Sequence, residues 1–230
     1  MKYAFVQQFC VYIPGVLMLK SQIEAEYKRL GYDQGWTFAM TPLARVHTAE
    51  TMIIGLNPGG WGNMEDAHYE SEKDNGYYTG IWTSDGSPTA VQAQVRALHD
   101  LLALGPDDTF AAQYIPFRSR SFASLPHQAE ALRFADKLWS ELLPKAAARR
   151  IICMGNDVFW QIVRLLGAKQ LEPVQAGWGS VTIKRAATVD GRLIVGIPHP
   201  SRFQLLGGRE GPAKAKRETA MRSALAMPSE

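Results

Sequence analysis

Four short apolar runs constrain this chain more than anything else in it: Met52–Leu56, Phe110–Ile115, Arg150–Met154 and Leu193–Ile197. They lack the polar alternation of a half-exposed strand, which is the pattern of strands covered on both faces. Helical patterns separate them. Ser21–Leu30 precedes the first run, and "TAVQAQVRALHDLLALG" spaces Val91, Val95, Leu98 and Leu102 helically, with Gly105 as a stop. "LPHQAEALRFADKLWSELLP" puts Leu132, Ala135, Leu138 and Leu142 on one stripe. Asn156 is placed to cap "DVFWQIVRLLG", which ends at Gly167. "GWGSVTIKRAATVDGRL" reads as a short hairpin, and the basic tail as a final helix. Strands alternating with helices of this length predict an α/β fold of three α/β/α layers around a central, mainly parallel four-stranded sheet. No repeat or low-complexity linker divides the chain. One domain over residues 1–230 follows, with a helical extension at 1–48 and a basic helix at 202–230.

Composition removes several function classes. Two cysteines, Cys10 and Cys153, cannot build a disulfide framework, a zinc cage or an iron–sulfur site, and Cys153 lies in the strand pattern "RRIICMG" as a core thiol. We therefore expect neither metal nor cofactor. The apolar N-terminus is interrupted by Gln7, Gln8, Pro14 and Gly15 and lacks a small-residue cleavage site. It predicts a cytoplasmic protein with no membrane partner; Met18 is an alternative start. Net charge is only +3, but Arg202, Arg209, Lys214, Lys216, Arg217 and Arg222 crowd one segment, and Arg118 with Arg120 form another basic spot. Such patches suit phosphate, and they also occur on solvated helix faces. No phosphate-binding Gly-rich loop or Gly-x-Ser-x-Gly elbow is present.

In open parallel sheets, ligands bind beyond the carboxyl ends of the strands. Those ends carry Asn57 in "GLNPGGW", Gln113 to Arg118 in "QYIPFR", Gly155, and His199 in "IPHPSRF". Asn57 alone reads equally as a turn amide bonded to its own backbone, and His199 as a turn histidine. Together they bring amides, a glycine-opened helix start and a His–Ser pair to one edge.

Taken in order, "GLNPGG", "QYIPFRS", "ICMGN" and "HPSRF" resemble the motifs of the uracil-DNA glycosylase superfamily, in its mismatch-type and single-strand-selective branches. The resemblance spans about Thr51 to Phe203. It implies a monofunctional DNA glycosylase, acting as a monomer on single- or double-stranded DNA, that flips out a base and hydrolyses its N-glycosidic bond. On this likeness Asn57 holds the attacking water, and a neutral His199 stabilises the departing base anion. Gln113 stands where the family usually carries Asn and reads the base, and one of Trp61, Tyr77, Tyr78 and Trp82 stacks on it. Ser201, Arg202, Phe203, Arg118 and Lys214 contact DNA. The family can wall off the base C5 position with an aromatic residue after the first motif's proline. Gly59 and Gly60 stand there instead, which opens that side to uracil or to C5-modified pyrimidines, including the modified cytosines of some phage genomes, and so to a role in defence against phage. Two other readings stay open: a DNA-gripping module without catalysis, and a hydrolase of free nucleosides or nucleotides.

Overall fold

The computed structural model describes residues 14–60, 74–208 and 210–228. Its strands are β1 (Thr51–Gly55), β2 (Thr109–Gln113), β3 (Arg150–Met154), β4 (Lys169–Gln175), β5 (Thr182–Ala187) and β6 (Leu193–Ile197). The helices are α1 (Pro14–Arg29), α2 (Gly76–Thr79), α3 (Ala90–Leu102), α4 (Gln128–Leu142), α5 (Asn156–Leu166) and α6 (Pro212–Leu225). The sheet runs β2-β1-β3-β6-β5-β4, and its first four strands are parallel. These are the four runs read from the sequence.

The side-chain alternation of those strands divides the core. Met52, Ile54, Phe110, Ala112, Ile151, Cys153 and Ile194 face one layer, with Trp139 of α4 and Phe159 of α5. Ile53, Ala111, Ile152, Val195 and Ile197 face the other, with Tyr77, Val95, Leu98 and Met221. Full burial pushes the Cys153 thiol well above its ordinary range, as expected of a core thiol.

The sheet has six strands and not four. The expected hairpin is real, since β5 pairs antiparallel with β6, but β5 also pairs with β4, which the sequence reading missed. The reason is physical. β4, "KQLEPVQ", is an edge strand with no buried residue, so it carries no apolar run. Its pairing shifts between Leu171 and Val174, where Pro173 lacks a donor. Proline and charge on an edge also blunt pairing with other chains.

Two local expectations change. Gly155, at φ 113°, is the residue that caps α5, and Asn156 is already helical. A left-handed backbone there favours glycine. The N-terminal segment is helical in α1 and again at Leu43–His47, but between them the chain lies along β2. Phe38 O accepts from Gln113 N at 2.7 Å and Met40 N donates to Ala111 O at 2.8 Å. Tyr27, Tyr32, Trp36 and Phe38 are buried, so this segment is part of the core. Among the described residues no helix is long and apolar enough to cross a membrane.

One contact sets how closely α5 lies on the sheet. A Cβ on Gly196 of β6 would come within 2.7 Å of the Phe159 ring. Phe159 is fully buried and has nowhere to retreat. Gly196→Ala should therefore cost about 1–3 kcal/mol of unfolding free energy, the usual range for overpacking. Urea denaturation measures it; an unchanged midpoint would mean that α5 can ride outward freely.

Candidate active site at the carboxyl edge of the sheet

Because β1, β3 and β6 are parallel neighbours, Asn57 and His199 leave the sheet on the same edge, with Gly155 between them. Two strand spacings, about 10 Å, separate the strands that carry them. The loop after β1 is bonded rung by rung to the chain after β2. Gly55 O accepts from Tyr114 N at 2.7 Å, Leu56 O from Ile115 N at 2.8 Å and Pro58 O from Ser119 N at 3.1 Å. The strand pairing thus continues past the sheet and fixes the Asn57 backbone.

Gly55 and Gln113 are register partners. The Gln113 amide lies over the glycine so closely that a Cβ on residue 55 would be 2.4 Å from Gln113 Oε1. Glycine ends β1 because the amide needs that space. Gln113 is buried, and among the described residues its side-chain amide has no hydrogen-bond partner.

Asn57 Nδ2 donates to Ser119 Oγ at 2.9 Å, and Pro58 O and Phe117 O lie 3.2 and 3.4 Å away. Two of these partners are carbonyls, which can only accept, so the amide orientation is determined. Ser119 is itself buried and passes its proton to Ser121 O at 2.8 Å. The bond to Pro58 O is the local turn bond; the bond to Ser119 is what a plain turn does not require. Among the described residues no donor reaches Asn57 Oδ1, the atom that can accept from water.

His199 Nδ1 lies 3.2 Å from the Ser201 backbone N and 2.7 Å from Ser201 Oγ. A backbone N–H can only donate, so Nδ1 carries the lone pair and the ring proton sits on Nε2. Burial of the ring, and secondarily the Arg202 charge, hold the imidazole below its ordinary pKa. The result is a neutral histidine that donates through Nε2. The ring passes close to Gly155, where a Cβ would be 3.8 Å from Cδ2, and Gly155 N donates to Ile197 O at 2.9 Å. Neither Asn57 nor His199 bonds to a carboxylate among the described residues. No three His, Cys, Asp or Glu side chains among them converge on a metal position.

The remaining expected residues sort by place. Nothing described lies within 4 Å of where a side chain on Gly59 or Gly60 would start. Arg118 braces this loop, with Nη1 donating to Gly59 O at 3.2 Å. Tyr78 is turned away: its hydroxyl meets His99 Nδ1 at 2.9 Å, and His99 lies against Thr109 at the opposite edge. Trp82 stays 42% exposed and packs edge-on to Tyr77, near Gly80, whose carbonyl accepts from Gln92 in the first turn of α3. It is the most exposed of the described aromatic candidates. Trp61 lies outside the described residues, as do Cys10 and Arg209. Ser201 and Arg202 are exposed, whereas Phe203 is half-buried against Trp178. Lys214 is paired with Glu210 and, at 3.5 Å, with Glu218, so its charge is largely met within α6. A separate groove of about 390 Å³ between α1 and α4 is lined mainly by charged side chains, Glu26, Arg29, Glu130 and Arg133, with one amide, Gln22, and no imidazole.

Two residues missed in the sequence hold the site. Ser119 orients Asn57. Gln94 of α3 accepts from Leu205 N and Leu206 N at 2.9 Å each and donates to Leu206 O at 2.5 Å, pinning the loop that follows His199. A buried glutamine one residue before Val95 was the sign available.

The two causes acting on His199 are separable. Arg202→Gln should raise the His199 midpoint in an NMR titration while leaving it below 6.5, because burial is the larger cause. On acidification the unfolded chain takes this proton first, so folding loses stability as pH falls through about 6.5. A wild-type midpoint at or above 6.5 would contradict the neutral donor.

In comparisons with known proteins, no family model and no curated protein matches this chain, and what it does is argued from the cleft itself.

Proposed function

We propose that the chain is a monofunctional DNA glycosylase that flips out a pyrimidine-type base, uracil or a C5-modified pyrimidine, and leaves an abasic site. The observation that carries this reading is the pairing at one sheet edge of an oriented Asn57, its Oδ1 open to a water proton, with a His199 held as an Nε2–H donor. Most glycosidases work with two carboxylates, and among the described residues neither Asn57 nor His199 is hydrogen-bonded to one. A uracil-type base dispenses with the acid, since its anion spreads charge onto the carbonyl oxygens. His199 Nε2–H then donates to a base carbonyl oxygen, where charge grows as the C1′–N bond breaks. Water held by Asn57 Oδ1 adds to C1′ and releases its proton to solvent, and the base anion takes one back. The Gln113 amide, without a partner among the described residues, is suited to the base edge, and the position beside Gly59 and Gly60, where no described atom lies within 4 Å of a Cβ, to a C5 substituent. A monomeric, cytoplasmic enzyme completes the proposal.

Without a strong base the reaction should be slow. His199→Ala should lower the single-turnover rate about 10²–10³-fold, the worth of one oxyanion donor, and Asn57→Ala should lower it strongly too. Melting temperature and affinity for an abasic product should stay near wild type in both. The rate should hold from pH 8 to below 6.5 and fall only where His199 protonates. The substrates are oligonucleotides differing at one base: uracil, thymine, cytosine and 5-substituted forms. Wild-type protein that cleaves none of them after alkali, while still binding them, would make this a DNA-gripping module. Full activity in a folded double variant would end the mechanism.

A further inference from the structure

The unanticipated strand β4, paired with β5, brings a third element to the site. β4 ends at Gln175 opposite Thr182, and β5 runs against β6, so the turn between them reaches the same edge as Asn57 and His199. Trp178 stands in that turn, 42% exposed. Its ring meets Phe203 edge-on at 6.4 Å. Phe203 belongs to the His199 turn: Phe203 N and Arg202 N donate to His199 O at 3.2 and 2.9 Å. The turn is therefore continuous with the imidazole that the site uses.

A cation lies against this ring. The Arg217 guanidinium lies 5.7 Å from the Trp178 centroid, and its buried Nε has no hydrogen-bond partner among the described residues. Neither Arg217 nor Arg202 is within ion-pair distance of a described carboxylate, in contrast to Lys214. The turn is also built close to α6. Gly177 has φ 73°, and a Cβ there would be 3.3 Å from Arg217 and Lys216. The close fit holds Trp178 and Arg217 together.

We propose that Trp178 is a stacking platform for an unpaired base beside the flipped nucleotide, with Arg202 and Arg217 taking adjacent phosphates, so that the substrate strand is single-stranded DNA. Stacked neighbours cover both faces of a duplex base, and only an unpaired base offers one to an indole. An exposed aromatic ring beside one uncompensated cation, with a second in the turn it packs against, is an arrangement that binds single strands without reading their sequence. That the strand is DNA rests on the glycosylase reading; the platform itself is tested without excision.

The test is equilibrium binding of an unmodified oligonucleotide, single-stranded and as a blunt duplex, to the full chain. Trp178→Ala should raise the single-strand Kd roughly tenfold or more, the usual loss of one stacked base. Duplex Kd should change less than about twofold, and Trp178→Phe, which keeps an aromatic face, should restore most single-strand affinity. Arg217→Gln, which leaves the ring in place, should lower the single-strand salt slope by about one unit. Equal losses on both DNA forms, or none on either, would overturn the platform. A protein that excises nothing yet shows the selective loss keeps the platform and loses the glycosylase reading.

Discussion

Parallel pairing is the constraint from which the rest of this structure follows. β1, β3 and β6 run the same way, so their carboxyl ends finish together and the chain must leave all three on one edge. Helices α3, α4 and α5 then carry it back across the two faces. An antiparallel arrangement of the same apolar strands in the same order would send Gly155, on the strand between them, to the opposite end from Asn57 and His199. The edge is also kept bare where crowding would occur. Gly55 yields its side-chain space to the Gln113 amide, and Gly155 lets the His199 ring pass. Glycine weakens a strand, and here it does so at the last residue, where little pairing is lost.

The polarity of the cleft is unusual in what it leaves out. Its oriented groups are the Asn57 amide, set by carbonyl acceptors, and an uncharged imidazole, set by a backbone donor, with the Gln113 amide beside Gly55. Such groups stabilise charge that develops on a bound molecule and do not supply a proton or strip one. A positioned general base is worth about 10²–10⁴ in rate, so on the proposed glycosylase reading a site acting through these groups alone would favour substrates whose leaving group is already a stable anion. The same logic explains the burial of His199. A charged imidazole would compete with the substrate for the field of the site, and burial with Arg202 nearby keeps it neutral.

What was legible in the sequence follows from burial. The four parallel strands are covered on both faces and so appear as uninterrupted apolar runs. Asn57, Gln113 and His199 were legible because strand ends are positions with known geometry. β4 was not, because an edge strand owes nothing to the core and carries Glu172 and Pro173. Gln94 was not, because the backbone it grips is 111 residues away and no local pattern encodes that distance. Tyr78 and Trp82 could not be separated in sequence, because their directions depend on what α3 offers: His99 takes the Tyr78 hydroxyl, and Gln92 holds the Gly80 carbonyl in the turn before Trp82. The pairing of Lys214 was readable after all, since Glu210 and Glu218 sit four residues to either side.

That pairing changes the meaning of the basic tail. Taken as a run, it resembles a phosphate-binding stripe, but folding uses several of its charges. Lys214 answers two glutamates, and Arg222 donates to Leu101 O at 2.8 Å. The cation left uncompensated beside the imidazole is Arg202, and it acts on His199 as well as on any ligand. A phosphate bound against Arg202 would offset its charge and relax one of the two forces holding His199 neutral. The other force would grow at the same moment, because a bound strand covers the ring and deepens its burial. The two changes oppose each other. The donor state of His199 is therefore buffered against the arrival of an anion, which is what a site needs if it must meet a polyanion with an uncharged histidine.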